Sequence, residues 1–174
     1  ACLVGSEMCI RDRFFKWLYY AGAVLLLVLV QSLVLNRISV WAVHPFLPPV
    51  IAGIMAMLEG PAEGAVFGGI FGLLCDLTMP GVIPCFYTLA FLAAALPAAM
   101  IAKRLLSQGF LCAVLCAALA LVITDLLHTV LLTFRQGVEL SAALSLTGRE
   151  LAVTVVLSPL VYLLLRSVHN RILR

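Results

Sequence analysis

Apolar residues run through this chain in long blocks, and the polar residues fall almost entirely between them. A helix needs roughly 20 mainly apolar residues to cross a ~30 Å hydrocarbon core. The blocks predict spans at about 17–35, 45–58, 62–77, 83–102, 110–134 and 151–165. The breaks carry recognisable turn chemistry. Pro48 and Pro49 suit a first helical turn, where a missing N–H costs nothing, so the regular helix of the second span should start near Pro48. Glu59-Gly60-Pro61 reads as a tight turn, and Thr78-Met79-Pro80-Gly81 as another. Pro97 and Pro159 fall inside spans four and six and predict kinks. Arg135 to Gly148 is the longest predicted loop, with room for a short interfacial helix.

Composition agrees: 64% of the 174 residues are hydrophobic and 11% charged, with a mean hydropathy of +1.19. Soluble domains carry about 25% charged residues. An all-α integral membrane protein of about six transmembrane helices follows, as a single domain over 14–174. Residues 1–13 are set apart. The composition changes abruptly at Phe14, and Glu7-Met8-Cys9-Ile10-Arg11-Asp12 looks like a translated sequencing adaptor, so 1–13 is read as an artefact or a polar leader. Cys2 and Cys9 go with it.

The net charge of +3 matters through its placement. With six spans, Lys16, Lys103, Arg104, Arg166, Arg171 and Arg174 share one side, and only Arg37, Arg135 and Arg149 lie on the other. The positive-inside rule then puts both termini in the cytoplasm. Trp17, Tyr19 and Tyr20 suit an interfacial aromatic belt.

In span three, Gly60, Gly64, Gly68 and Gly72 recur every four residues, and Asp76 continues the register. Small residues let helix backbones approach closely in lipid. Ala90, Ala94, Ala98 and Ala102 echo the pattern in span four and suggest a packed pair. The ladder, Asp76 included, is a candidate for internal packing or for a partner's helix. Asp125 and His128 share a face of span five and, with Asp76, lie toward the outer half. Ionisable groups in a membrane are candidate functional residues, or a polar cluster that pins helices together. Cys75, Cys85, Cys112 and Cys116 give no metal signature, and no phosphate loop or basic-aromatic surface for nucleic acid appears. No catalytic residue, cofactor or metal is assigned.

The stretch His44 to Leu77 carries a resemblance. Its Pro45, its Gly60-Pro61-Ala62-Glu63-Gly64 turn and its Gly72-Leu73-Leu74-Cys75-Asp76 ending, with Val30-Gln31-Ser32 in span one and a basic tail, resemble the MreD family of bacterial rod shape-determining proteins. Departures are Phe46, where family members often carry Asp, the Pro48-Pro49 pair, and an Ala-rich fourth span where Gly is common. The resemblance implies a fold similar to the substrate-binding subunits of energy-coupling-factor transporters. It also implies a non-catalytic subunit of the elongasome in the bacterial inner membrane. Its expected partners are MreC and, more widely, MreB, RodA and a class B penicillin-binding protein; lateral wall synthesis and rod shape are the expected output. Two other readings stay open: a vitamin-binding transporter subunit using Asp76, Asp125 and His128 in an outward pocket, and a membrane hydrolase with Asp76 and Asp125 as paired carboxylates.

Overall fold

The computed structural model describes residues 2–39, 41, 43–79, 83–104, 109–137 and 139–172. Side chains are described within those ranges from residue 15 onward, except at 104, 136, 140 and 172. Pro80 and Gly81 of the predicted turn and Arg174 of the predicted tail lie outside the described residues, as do the side chains of Cys2, Cys9 and Arg104.

The described residues form α1 (Cys2–Leu33), a 3-10 turn (Leu35–Arg37), α2 (Pro48–Glu59), α3 (Pro61–Thr78), α4 (Phe86–Arg104), α5 (Phe110–Gln136) and α6 (Leu140–Ile172). The fold is all-helical. Pro48 and Pro61 open α2 and α3, as their missing N–H allows. Gly60 sits between them at φ 90, a left-handed conformation in which a side chain would be strained. Its N–H donates to Ala56 O at 3.0 Å and its own carbonyl accepts from Gly64 N at 2.9 Å, so one residue ends α2 and starts α3.

Four segments are long and apolar enough to cross a bilayer: Phe15–Arg37, Phe86–Lys103, Phe110–Arg135 and Ser141–Arg171. Large apolar side chains such as Leu25, Ile70, Leu115, Val156 and Leu163 stand exposed around the outside. In water such a surface would drive aggregation; against lipid it costs nothing. The chain is an all-α membrane protein.

Two boundaries differ most from the sequence-based expectation. α6 begins at Leu140, so the long loop predicted over 135–148 shrinks to the residues around Gly137. Ser, Thr and Ala residues without an internal Pro let the helix extend over that stretch, and Ala143 is buried against the bundle. At the other end, α1 runs unbroken from Cys2 through Phe14, so the change in composition there leaves no mark on the backbone. Both internal prolines, Pro97 and Pro159, are accommodated within continuous helices.

α2 sits at the centre. Its 12 residues span about 18 Å, less than a ~30 Å core. Every residue from Pro48 to Leu58 is buried, packed among α3, α4, α5 and α6. Gly53 meets α5, where a Cβ would fall 2.8 Å from Ala120 Cβ and 2.9 Å from Cys116 O. By contrast α1 packs mainly on α6. An apolar groove of about 690 Å³ separates it from α3, walled by Val24, Leu25, Val28, Ile70, Phe71 and Leu74 among others.

The extended segment before α2 carries backbone groups that no helix satisfies. Gln31 of α1 supplies partners: its Nε2 donates to Pro45 O (2.8 Å) and Asn36 Oδ1 (3.0 Å), and its Oε1 accepts the Leu47 N–H (3.1 Å). Thr154 Oγ1 of α6 accepts the Phe46 N–H at 3.2 Å. Where water is excluded, leaving such groups unpaired costs several kcal/mol each, roughly.

Candidate functional site

The glycine ladder of α3 is filled from within. A Cβ at Gly64 would lie 2.5 Å from Ala56 Cα of α2. At Gly68 it would lie 3.3 Å from Phe91 O, and at Gly72 2.6 Å from Thr88 Cα, both on α4. Ala90, Ala94, Ala98 and Ala102 are all buried, and α3 with α4 forms the most extensive helix pair.

Asp76 completes this seam. Its Oδ1 accepts the Tyr87 N–H (2.9 Å), and its Oδ2 accepts the Thr88 N–H (2.9 Å) and the Thr88 hydroxyl (2.7 Å). Tyr87 and Thr88 lie in the first turn of α4, whose N–H groups have no partners within the helix. Asp76 therefore caps a helix other than its own, placing negative charge at the positive end of that helix. Gly72, one turn earlier, permits the close approach that brings the carboxylate within reach.

Beyond Tyr87 lies a pocket of about 120 Å³, lined by Phe46, Phe86, Tyr87, Thr124, Asp125, His128 and Glu150. Asp125 and His128 thus share one space, as their spacing suggests, while Asp76 does not line it. Asp125 is 8% exposed, and its Oδ2 has no hydrogen-bond partner. Glu150 approaches from α6. It escaped the sequence reading because the expected span began at Leu151. The His128 ring packs on Phe86 at 5.6 Å between centroids. Small-molecule sites usually run to ~300–1,000 Å³, so this pocket is small for a vitamin. Both oxygens of Asp76 are bonded to α4, and Asp125 lines the pocket without it. Among the described residues, no group of three His, Cys, Asp or Glu side chains is arranged to hold a metal ion.

A second polar cluster occupies the opposite end of the bundle, and its core was not apparent from sequence. Glu59, at the end of α2, has a side chain only 4% exposed. Lys16 bonds it and also reaches Glu63 Oε2 at 2.8 Å. Tyr20 donates its hydroxyl to Glu59 Oε1 at 2.5 Å and lies 2.6 Å from His169 Nδ1, which is itself 3.2 Å from Glu59 Oε1. Burial pushes the Glu59 carboxyl up, but the Lys16 and Tyr20 hydrogen bonds outweigh it and hold it below its usual 4.5. Four helices, α1, α2, α3 and α6, are tied at this carboxylate. Sequence offered one signal, Lys16 just before an apolar run and two carboxylates flanking Gly60-Pro61, but the His169 contact spans 110 positions. A series of ring contacts, Trp17–Phe67–Phe71–Phe91–Tyr87–Phe86–His128, joins the two polar ends through the interior.

No family model, curated protein or solved structure matches the chain.

Proposed function

We propose that this protein is a non-catalytic membrane scaffold of the MreD type, an inner-membrane subunit of the elongasome that binds MreC. The supporting observation is the use of the stretch that carries the resemblance. Gly60 makes the turn, Gly64, Gly68 and Gly72 admit neighbouring backbones, and Asp76 caps α4. These glycines and Asp76 serve assembly of the bundle, as expected where the motif defines a platform and not a reaction. The extended segment before α2 supplements that short helix, so that α1 to α6 count as six spans in the manner of energy-coupling-factor substrate-binding subunits. Lys16, Lys103, Arg166 and Arg171 favour cytoplasmic termini.

Since the ladder is filled internally, the place we assign to the MreC transmembrane helix is the groove between α1 and α3. Its walls from Trp17 to Gln31 on α1 extend about 21 Å, most of a bilayer core. Co-expression with the MreC of the same genome, followed by purification in mild detergent, tests the proposal. A defined complex is expected, and Leu25→Trp or Ile70→Trp should weaken it without unfolding the chain. A folded, monodisperse protein that never retains MreC would remove the scaffold reading.

A further inference from the structure

The pocket at the Asp125 end holds two carboxylates and the His128 ring, and that ring forms no ion pair with either of them. Asp125 comes from α5 and Glu150 from α6, and both line a space of about 120 Å³. Asp125 is 8% exposed with an unpartnered Oδ2, and among the described residues no ion pair reaches either carboxylate. The basic side chains toward this end, Arg37, Arg135 and Arg149, are exposed. An uncompensated carboxylate in a membrane interior is expensive, so buried Asp125 with half-buried Glu150 beside it favours a positive partner.

The lining argues which kind. A multivalent metal would need at least three well-placed donors, and that arrangement is missing among the described residues. The two carboxylates and Thr124 Oγ1 could also meet an alkali ion, so sodium is the competitor that binding must be measured against. Here the remaining walls are the rings of Phe46, Phe86, Tyr87 and His128 and the Thr124 hydroxyl. Ring faces attract organic cations, whose hydration is weak enough to be stripped. Thr124 donates its hydroxyl to Ala120 O at 2.9 Å, which leaves that oxygen free to accept an N–H. We propose that this pocket binds an ammonium group, primary or methylated, between the Asp125 and Glu150 carboxylates. A volume of about 120 Å³ admits an aminoethyl or trimethylammonium head and falls short of the ~300 Å³ or more of usual drug- or vitamin-sized sites. Such a group comes either from a free small amine or from the headgroup of an ethanolamine or choline phospholipid. The proposal does not depend on the scaffold reading.

The test uses the full chain purified in a maltoside detergent and titrated by calorimetry with ethanolamine and with choline; sodium chloride and sodium acetate serve as controls. Saturable binding of at least one amine is expected, undiminished by equal concentrations of sodium. Asp125→Asn and Glu150→Gln should each weaken it about tenfold or more, since each leaves the buried cation short of a counter-charge. If Asp125→Asn does not fold, Glu150→Gln and ethanolamine–choline competition on the unaltered protein decide the matter. No saturable binding, or equal binding by the variants, overturns the proposal. Reconstitution into phosphatidylglycerol nanodiscs, with or without phosphatidylethanolamine or phosphatidylcholine, then separates the sources. If the zwitterionic lipid blocks the soluble amine, the lipid is the ligand; if the amine binds equally in both, the site takes a free amine.

Discussion

Replacing Gly72 by alanine puts a methyl group where α3 and α4 touch. The added Cβ would lie 2.6 Å from Thr88 Cα, 2.7 Å from Tyr87 O and 2.8 Å from Thr88 N. All three atoms are backbone, so no side chain can swing aside. Restoring ordinary contact near 3.4 Å requires the helices to part by about 0.8 Å. That movement draws the first turn of α4 away from Asp76, whose bonds of 2.7–2.9 Å would stretch past useful length. Overpacking costs about 1–3 kcal/mol. Weakening a hydrogen bond to a charged group costs about 1.5–3 kcal/mol. Alanine's better helix propensity returns at most ~1 kcal/mol. A net loss of about 2–4 kcal/mol is expected, read as a lower midpoint in reversible unfolding by SDS in mixed micelles. Gly69→Ala is the internal control: same helix, same substitution, but its Cβ meets only Leu92 side-chain atoms at 3.8–3.9 Å. It should match the parent or exceed it by up to about 1 kcal/mol, the propensity gain with no clash to offset it. Equal midpoints for the two variants would refute the reasoning, because they differ only in what the new methyl meets.

Asp76→Ala should lose about 2–4 kcal/mol by the same assay, and Asp76→Asn should recover part of it, since an amide keeps one accepting oxygen; no difference between the two would mean the cap is not the source. Gln31→Leu, close in volume, leaves the Leu47 N–H and Pro45 carbonyl without partners and should cost about 2–4 kcal/mol; a neutral outcome would show that solvent reaches that segment. Glu59, outside the spans, is held below 4.5 in the folded protein, so its contribution is present above the unfolded value and is lost as pH falls through the lower folded one. Melting followed from pH 6 downward should fall less steeply below 4.5 in Glu59→Gln than in the parent; parallel curves would count against that linkage.

Much of the fold could be read from prolines and small residues. Pro48 and Pro61 mark helix starts, and Gly60 with the four-residue ladder announces a close helix pair. The limits have physical causes. A short run of apolar residues looks the same whether it crosses lipid or is buried on all sides, so the central position of α2 has no signature of its own. The start of α6 was hidden because Gly148 and the polar residues around it obscure a helical period, and Glu150 was overlooked with it. Asp76 was singled out for its charge, but its role is decided by which N–H groups lie opposite, eleven and twelve positions away. Glu59 gains meaning only when Tyr20, Lys16 and His169 converge on it from three parts of the chain.

The burial of α2 on all sides has a consequence for biosynthesis. A segment of 12 residues leaves the ribosome long before the helices that will enclose it, since α4, α5 and α6 are all downstream. At the translocon it cannot hold a stable position in lipid by its own length. It must be retained by its neighbours α1 and α3 until α5 arrives to receive Gly53 and α6 to receive the Phe46 N–H. Synthesis stalled before α5 should therefore leave a protease-sensitive, loosely inserted chain, and folding proper begins only after most of the protein has been made.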